Sequence, residues 1–368
     1  MKTFNFIPTA SFVVGGGEVV PLMQSKFLSK KGIKITVGVL KTEHCSKYYS
    51  NFKKENPEIE FVEIEGDVKY DPKRLDLSHE YFYSLYLGLI RNTSAYLQNQ
   101  NFDNAIVHYT PGVFAIPKTI PTLLILHGVP SKAELLNSVA LQTADSLGAV
   151  SNSVRDGWKT LHEISKPINL LHNGIDINYF IPTNYIKEKY DISYVGRLIE
   201  IKGVQHLIRA VGILKEKGYK LYLRIGGKGP FLESLVNLRD ELLLSDQITF
   251  EGYVPDEMLL KFYQESRICA FPSYDKEGVL TTMLEAAATG KAIVTCDCCG
   301  MTDFIENNVN GLLAEPKSAE SLAECIKELV DNESKRKDLG QNARHSVEAG
   351  WSWESASDHL LDILRETL

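Results

Sequence analysis

The chain has 368 residues, 44% apolar and 24% charged, with a formal net charge of −7; this is enough apolar material for two cores, and the negative balance speaks against binding bulk nucleic acid. The six cysteines, three of them crowded into Cys296-Asp297-Cys298-Cys299, lack the spaced pairs and histidines of a zinc site and read as free thiols of a reducing compartment. The first residues lack an apolar run with a small-residue cleavage site, and no stretch approaches the ~20 apolar residues of a membrane span, so a cytoplasmic protein is expected, with peripheral contact at the inner face of a membrane left open.

Strand and helix signatures alternate along the chain. Residues 2–7 read as a strand, followed by Gly15-Gly16-Gly17 and a helix from Glu18 to Lys31, in which Pro21 suits only the first turn. Ile33 to Leu40, Ala105 to Val107, Thr122 to Leu126 and Ser146 to Val150 are short apolar runs of the kind that form buried parallel strands. His172-Asn173-Gly174-Ile175-Asp176, then a polar stretch with Pro182 and Asn184, reads as a linker.

The pattern then restarts. Strands are expected at Asp191 to Val195, Leu221 to Ile225, Ile248 to Phe250, Ile268 to Phe271 and Ala292 to Thr295. Helices are expected at Val204 to Lys217, Phe231 to Leu244, Ala319 to Val330 and Trp353 to Leu368. Alternating βα units imply α/β architecture: parallel sheets with helices on both faces, built twice.

The strongest chemical signal is the segment from Phe271 to Gly290, which follows a strand and opens a helix. If the helix begins near Leu280, Glu277 lies in the loop before its free N–H groups and Glu285 sits about 7.5 Å along its axis. The positive helix end suits a diphosphate, and carboxylates before and inside the first turns suit sugar and ribose hydroxyls. Two glutamates alone would read as a loop end and a solvated helix residue. Arg197 in Gly196-Arg197-Leu198, and Lys202 before Gly203, also follow a strand, where ligands bind in open α/β sheets. Gly226-Gly227-Lys228-Gly229-Pro230 and Phe250-Glu251-Gly252-Tyr253-Val254 follow two further strands; the first is a close backbone approach or a plain tight turn, the second a frame for a flat base.

This ordered set, over residues 190–315, resembles the retaining glycosyltransferases of family four, which have the GT-B fold. The resemblance implies two Rossmann-like domains with parallel sheets facing across an interdomain cleft: an acceptor domain of residues 1–175, completed by a crossover helix at 351–368 beginning at Trp351-Ser352-Trp353, and a donor domain of residues 176–350. It implies a nucleotide-sugar substrate, Arg197, Lys202, Glu277 and His127 as catalytic groups, and a donor site that adds Gly16, Gly17, Gly227, Tyr253, Val254, Gly278, Val279, Leu280 and Glu285. His127, in Leu126-His127-Gly128, resembles the family histidine near the donor sugar, whereas His108, His162 and His172 have no assignment. Two departures stand out: Gly-Val-Leu-Thr-Thr follows Glu277 where the family usually has a bulky residue and then a small one, and Asp303 stands where glutamate is commoner.

The implied reaction is transfer of a hexose or N-acetylhexosamine with retention and without an obligatory metal; no Asp-x-Asp triplet follows a strand. No cofactor is expected, since the nucleotide sugar is a substrate. A UDP-sugar is the preferred donor and GDP-mannose the alternative. The acceptor is a glycan, a lipid-linked intermediate or a small molecule, and Tyr81-Phe82-Tyr83 with Tyr86 either face it or join the core. A nicotinamide dehydrogenase fits poorly, because the fingerprint at Gly15 and Gly17 lacks its third glycine. A non-catalytic nucleotide-sugar-binding protein remains the rival from a different class.

Overall fold

The computed structural model describes residues 1–13, 16–70, 79–130, 132–183, 185–275 and 277–367, with the backbone alone for residues 79–85. Its contacts divide the chain into two compact units, Met1–Gly174 with Trp353–Leu368, and Ile175–Ser352.

The first unit runs β1 (Lys2–Phe6), α1 (Gly16–Lys30), β2 (Lys34–Leu40), α2 (Lys47–Glu55), β3 (Glu60–Ile64), α3 (His79–Leu97), β4 (Asn104–Val107), β5 (Thr122–Leu126), α4 (Leu135–Thr143), β6 (Ser146–Ala149), α5 (Asn152–Leu161) and β7 (Ile168–Leu170). The strands form one parallel sheet in the order β3-β2-β1-β4-β5-β6-β7. β4 and β5 are buried along their whole length, which explains why they read as unbroken apolar runs rather than alternating ones. Ser46 and Ser151 cap α2 and α5 by accepting from the Tyr49 and Val154 N–H groups.

α1 opens at Gly16, two residues before the expected start. Pro21 therefore falls in the second turn, and its missing N–H leaves the Gly17 carbonyl outside the helical ladder. The Pro21 carbonyl is instead used twice from the side, by Asn5 Nδ2 at 3.2 Å and Ser25 Oγ at 3.0 Å. Tyr86 on α3 is buried, so it belongs to the core and not to an exposed aromatic surface; the side chains of Tyr81, Phe82 and Tyr83, like Gly15 and Asn184, lie outside the described residues.

The second unit runs β8 (Tyr190–Val195), α6 (Val204–Glu216), β9 (Leu223–Gly226), α7 (Leu232–Glu241), β10 (Ile248–Gly252), α8 (Asp256–Gln264), β11 (Ser266–Phe271), α9 (Thr281–Ala288), β12 (Ala292–Cys296), β13 (Leu312–Ala314), α10 (Ala319–Asp331) and α11 (Glu333–Gly350). Its sheet is also parallel, in the order β10-β9-β8-β11-β12-β13. Residues 175–181 do not behave as a linker. Phe180 is buried, and Arg344 on α11 donates to the Ile177 and Phe180 carbonyls at 3.0 and 2.7 Å, which ties the segment into this unit. The last helix, α12 (Trp353–Thr367), belongs to the first unit, where Trp353 packs with Val20 and Phe27 of α1.

Among the described residues no helix is long and apolar enough to cross a membrane.

Candidate active site

In each sheet the strand order reverses beside its first strand, leaving a crevice at the carboxyl ends where ligands of open α/β folds bind. In the second unit the reversal falls between β8 and β11, and the loops leaving these two strands carry Arg197, Lys202 and Glu277. The chain leaves β8 through Gly196 and Arg197, then makes a single 3-10 turn at Glu200–Lys202. Gly203 follows at φ +72°, with the Pro272 carbonyl oxygen only 1.9 Å from where a Cβ would stand. No other residue fits both the backbone conformation and the space. The Tyr274 N–H donates to the Ile201 carbonyl at 3.1 Å, so the two loops are stitched together.

This contact brings Lys202 Nζ to 2.9 Å from Glu277 Oε1, with the side chains 9% and 13% exposed. Burial pulls the Lys202 pKa down, the Glu277 carboxylate pushes it back up, and the charge of Arg197 lowers it. The Arg197 guanidinium is exposed, while its carbonyl accepts from the Tyr194 hydroxyl at 3.1 Å. One buried ammonium, one exposed guanidinium and one carboxylate therefore share the mouth of the crevice.

The loop that bears Glu277 is supported from behind. The Gly300 N–H, in a 3-10 turn after β12, donates to the Glu277 carbonyl at 3.0 Å. A Cβ on Gly300 would stand 2.4 Å from the Gly278 carbonyl carbon and 2.6 Å from the Val279 nitrogen. Nothing in the sequence pattern marked Gly300; only the carboxyl-end position of its loop beside β11 could have suggested it. Leu280 is the N-cap of α9 and supplies no side-chain cap, so the first N–H groups of the helix stay open beside Gly278 and Val279. Glu285 lies inside α9, and its Oε2 accepts from the buried Tyr263 hydroxyl at 2.6 Å. Burial pushes the Glu285 pKa up to about 7 against the lowering effect of that hydrogen bond, with Asp256 adding to the rise.

The glycine loop after β9 approaches protein backbone. Gly227, at φ +132°, lies so close to the Gly196 carbonyl oxygen that a Cβ would meet it at 1.8 Å, and Leu198 N donates to the Lys228 carbonyl at 2.9 Å. After β10, Val254 packs against Gly226 and Tyr253 is 59% exposed at the rim.

The first unit has its reversal between β1 and β4. Gly16 and Gly17 open α1 there, and a Cβ on Gly17 would meet the Tyr109 hydroxyl at 2.9 Å. Glu18 Oε1 accepts from Tyr109 at 2.8 Å and from Thr9 at 2.9 Å, fixing the start of the helix to both loops. His127 follows β5. Its Nε2 lies 2.8 Å from His108 Nδ1, and His108 Nε2 lies 2.8 Å from Asn5 Oδ1. Burial lowers the His127 pKa to about 4; burial and then His127 hold that of His108 well below the usual histidine value. His108 thus gains a place beside His127 that the sequence did not assign. His162 is occupied elsewhere, with Ser138 at 2.9 Å and Trp158 stacked on it. Among the described residues no three His, Cys, Asp or Glu side chains gather as a metal cage.

Residues 178–346 match the family model described as Glycosyl transferases group 1. The chain is 28% identical to the capsular polysaccharide biosynthesis glycosyltransferase CapM of Staphylococcus aureus over 253 residues, covering 63% of this chain and 66% of that protein. It is 25% identical to the GDP-mannose-dependent alpha-(1-6)-phosphatidylinositol monomannoside mannosyltransferase of Mycobacterium tuberculosis over 237 residues, covering 60% and 62%. The matched stretches thus span less than two thirds of these relatives' own length. Among solved structures, sucrose-phosphate synthase from Thermosynechococcus elongatus superposes with a TM-score of 0.81 at 17% identity, over 99% of this chain and 98% of that one. The Anabaena protein HepE in complex with UDP-glucose superposes with a TM-score of 0.78 at 16% identity, over the whole of both chains. The fold is that of the GT-B glycosyltransferases.

Proposed function

We propose that the chain, whose residues 178–346 match the model of the glycosyl transferases group 1, is a glycosyltransferase that moves a hexose or N-acetylhexosamine from a nucleotide sugar to a glycan, lipid-linked or small-molecule acceptor. The observation that carries this reading is the Lys202–Glu277 pair at the reversal of the second sheet, beside an uncapped helix N-terminus. Breaking the bond between sugar and diphosphate builds negative charge on the leaving phosphate. In this reading Arg197, Lys202 and the open N–H groups of α9 stabilise that charge, and stabilisation counts only where it grows in the transition state. The sugar turns electron-poor at the same moment, and the Glu277 carboxylate favours that charge while accepting from a sugar hydroxyl. Glu285 receives the ribose hydroxyls, Tyr253 and Val254 frame the base, and His127 with the Gly16–Gly17 start of α1 serves the sugar and phosphates. Transfer proceeds with retention and without a metal in this reading, and the preferred donor is a UDP-sugar.

The mannosyltransferase relative, which is GDP-mannose-dependent by its name, favours GDP-mannose as a second reading. A thermal-shift titration with UDP-glucose, UDP-N-acetylglucosamine and GDP-mannose separates the two, because a ligand of the native state raises its melting point. Transfer assays with the stabilising donor, in excess chelator, then test the reaction. Binding without transfer to any acceptor would favour the non-catalytic rival, and loss of transfer in chelator with recovery in manganese would remove the metal-free mechanism.

A further inference from the structure

The first unit holds a chain of hydrogen bonds whose direction can be worked out atom by atom. It begins at Asn5, buried in β1. Asn5 Nδ2 donates to the Pro21 carbonyl at 3.2 Å and to Ser25 Oγ at 2.8 Å. The Ser25 hydroxyl spends its own hydrogen on the Pro21 carbonyl, so its oxygen is an acceptor for Asn5. Turning the amide over would set its oxygen against that carbonyl, so Asn5 presents Oδ1 to its other neighbour.

That neighbour is His108 Nε2, at 2.8 Å. Oδ1 only accepts, so His108 Nε2 carries the hydrogen. His108 is buried, and among the described residues no carboxylate pairs with it, so the ring is neutral and its Nδ1 is a lone pair. His127 Nε2 lies 2.8 Å from that lone pair and must donate to it. In a neutral His127 the remaining nitrogen, Nδ1, is then bare, and among the described residues no group bonds to it.

We propose that Asn5 and His108 are positioning residues that lock His127 with its hydrogen on Nε2, so that His127 Nδ1 is offered to a ligand as a hydrogen-bond acceptor. A hydroxyl donates to such an atom, whereas a sugar carboxylate sets lone pair against lone pair. The relay therefore selects donor sugars that place a hydroxyl, not a carboxylate, at His127. This selection rests on the proposed glycosyltransferase reading; the tautomer itself does not.

The test begins with the wild-type protein labelled with 15N-histidine. Long-range proton–nitrogen correlation spectra, assigned with His108→Gln and His127→Gln, should show both rings protonated at Nε2. Asn5→Asp places a carboxylate on His108 Nε2, favours the imidazolium there, and makes His108 Nδ1 a donor. His127 should then shift its hydrogen to Nδ1. With the same proteins, wild type should prefer UDP-glucose to UDP-glucuronate, and Asn5→Asp should narrow that preference about tenfold in kcat/KM with little change in the KM for acceptor. A wild-type His127 protonated at Nδ1, or a His127 tautomer unchanged in Asn5→Asp, overturns the relay. If Asn5→Asp does not fold, the wild-type spectrum alone decides. The expected tautomers with no nucleotide sugar bound would uphold the relay and remove the glycosyltransferase reading.

Discussion

Lys202 Nζ and Glu277 Oε1 stand 2.9 Å apart across the strand reversal of the second sheet, one from the loop after β8 and the other from the loop after β11. Both side chains are nearly buried, so each neutralises the other in a place where an unpaired charge is strongly disfavoured. The pair gives Glu277 a structural role beside its proposed catalytic one.

Arg197 and Glu277 should therefore separate in mutagenesis. Arg197→Ala removes an exposed side chain and should leave the melting temperature near wild type while lowering kcat by roughly 10²–10³-fold, the usual loss for one preorganised charge stabiliser. Glu277→Ala should abolish transfer and also destabilise, because it strands Lys202; removing one partner of a buried pair costs ~3–5 kcal/mol. Lys202→Met combined with Glu277→Leu should recover much of the stability without activity. Equal melting temperatures for Glu277→Ala and wild type would contradict a buried pair.

Gly203→Ala tests the stitch between the two loops. The new Cβ would stand 1.9 Å from the Pro272 carbonyl oxygen, on a backbone at φ +72°. We expect a loss of at least ~1–3 kcal/mol from backbone strain alone, read by chemical denaturation, together with weaker nucleotide-sugar binding as Lys202 and Glu277 part. An unchanged midpoint and affinity would show that the loops adapt without loss.

Gly300→Ala acts one layer behind the site. It crowds the Gly278–Val279 peptide and the hydrogen bond from Gly300 N to the Glu277 carbonyl. Transfer should fall by tenfold or more while the protein remains folded by circular dichroism. Unaltered kinetics would show that the turn after β12 does not hold the Glu277 loop in place.

The pH dependence of stability should carry two opposed contributions. Burial raises Glu285 from 4.5 to about 7, so the folded state binds that proton more tightly. Its contribution is full below about 4.5 and is lost as pH rises towards 7. His127 is depressed from 6.5 to about 4, so its contribution is present above 6.5 and lost as pH falls towards 4. Melting temperatures between pH 4.5 and 8 should show Glu285→Gln gaining on wild type as pH rises and His127→Gln gaining as pH falls. Curves parallel to wild type would mean that neither group titrates with a shifted pKa.

Much of the architecture was legible from local pattern. Buried parallel strands announce themselves as short apolar runs, because both faces of each are covered, and the order of loops after β8, β9, β10 and β11 is the order of the motifs. The boundaries were less legible: α1 begins at Gly16, two residues before the expected start, which puts Pro21 in the second turn. The segment from His172 to Asp176, with the stretch around Pro182 that follows, looked like a linker, since Arg344, which holds the Ile177 and Phe180 carbonyls, lies far along the chain.

By itself, then, the sequence determined two α/β units and placed Arg197, Lys202, Glu277 and Glu285 at strand ends and a helix start, because those features follow from periodicity and from residues adjacent in the chain. Only the tertiary structure decided the partners: Lys202 with Glu277, Tyr263 with Glu285, Gly300 behind Gly278, and Asn5 and His108 behind His127. Each pairing depends on which strands lie side by side. That order is set by how all the helices and strands bury their apolar faces together, and no local stretch of residues encodes it.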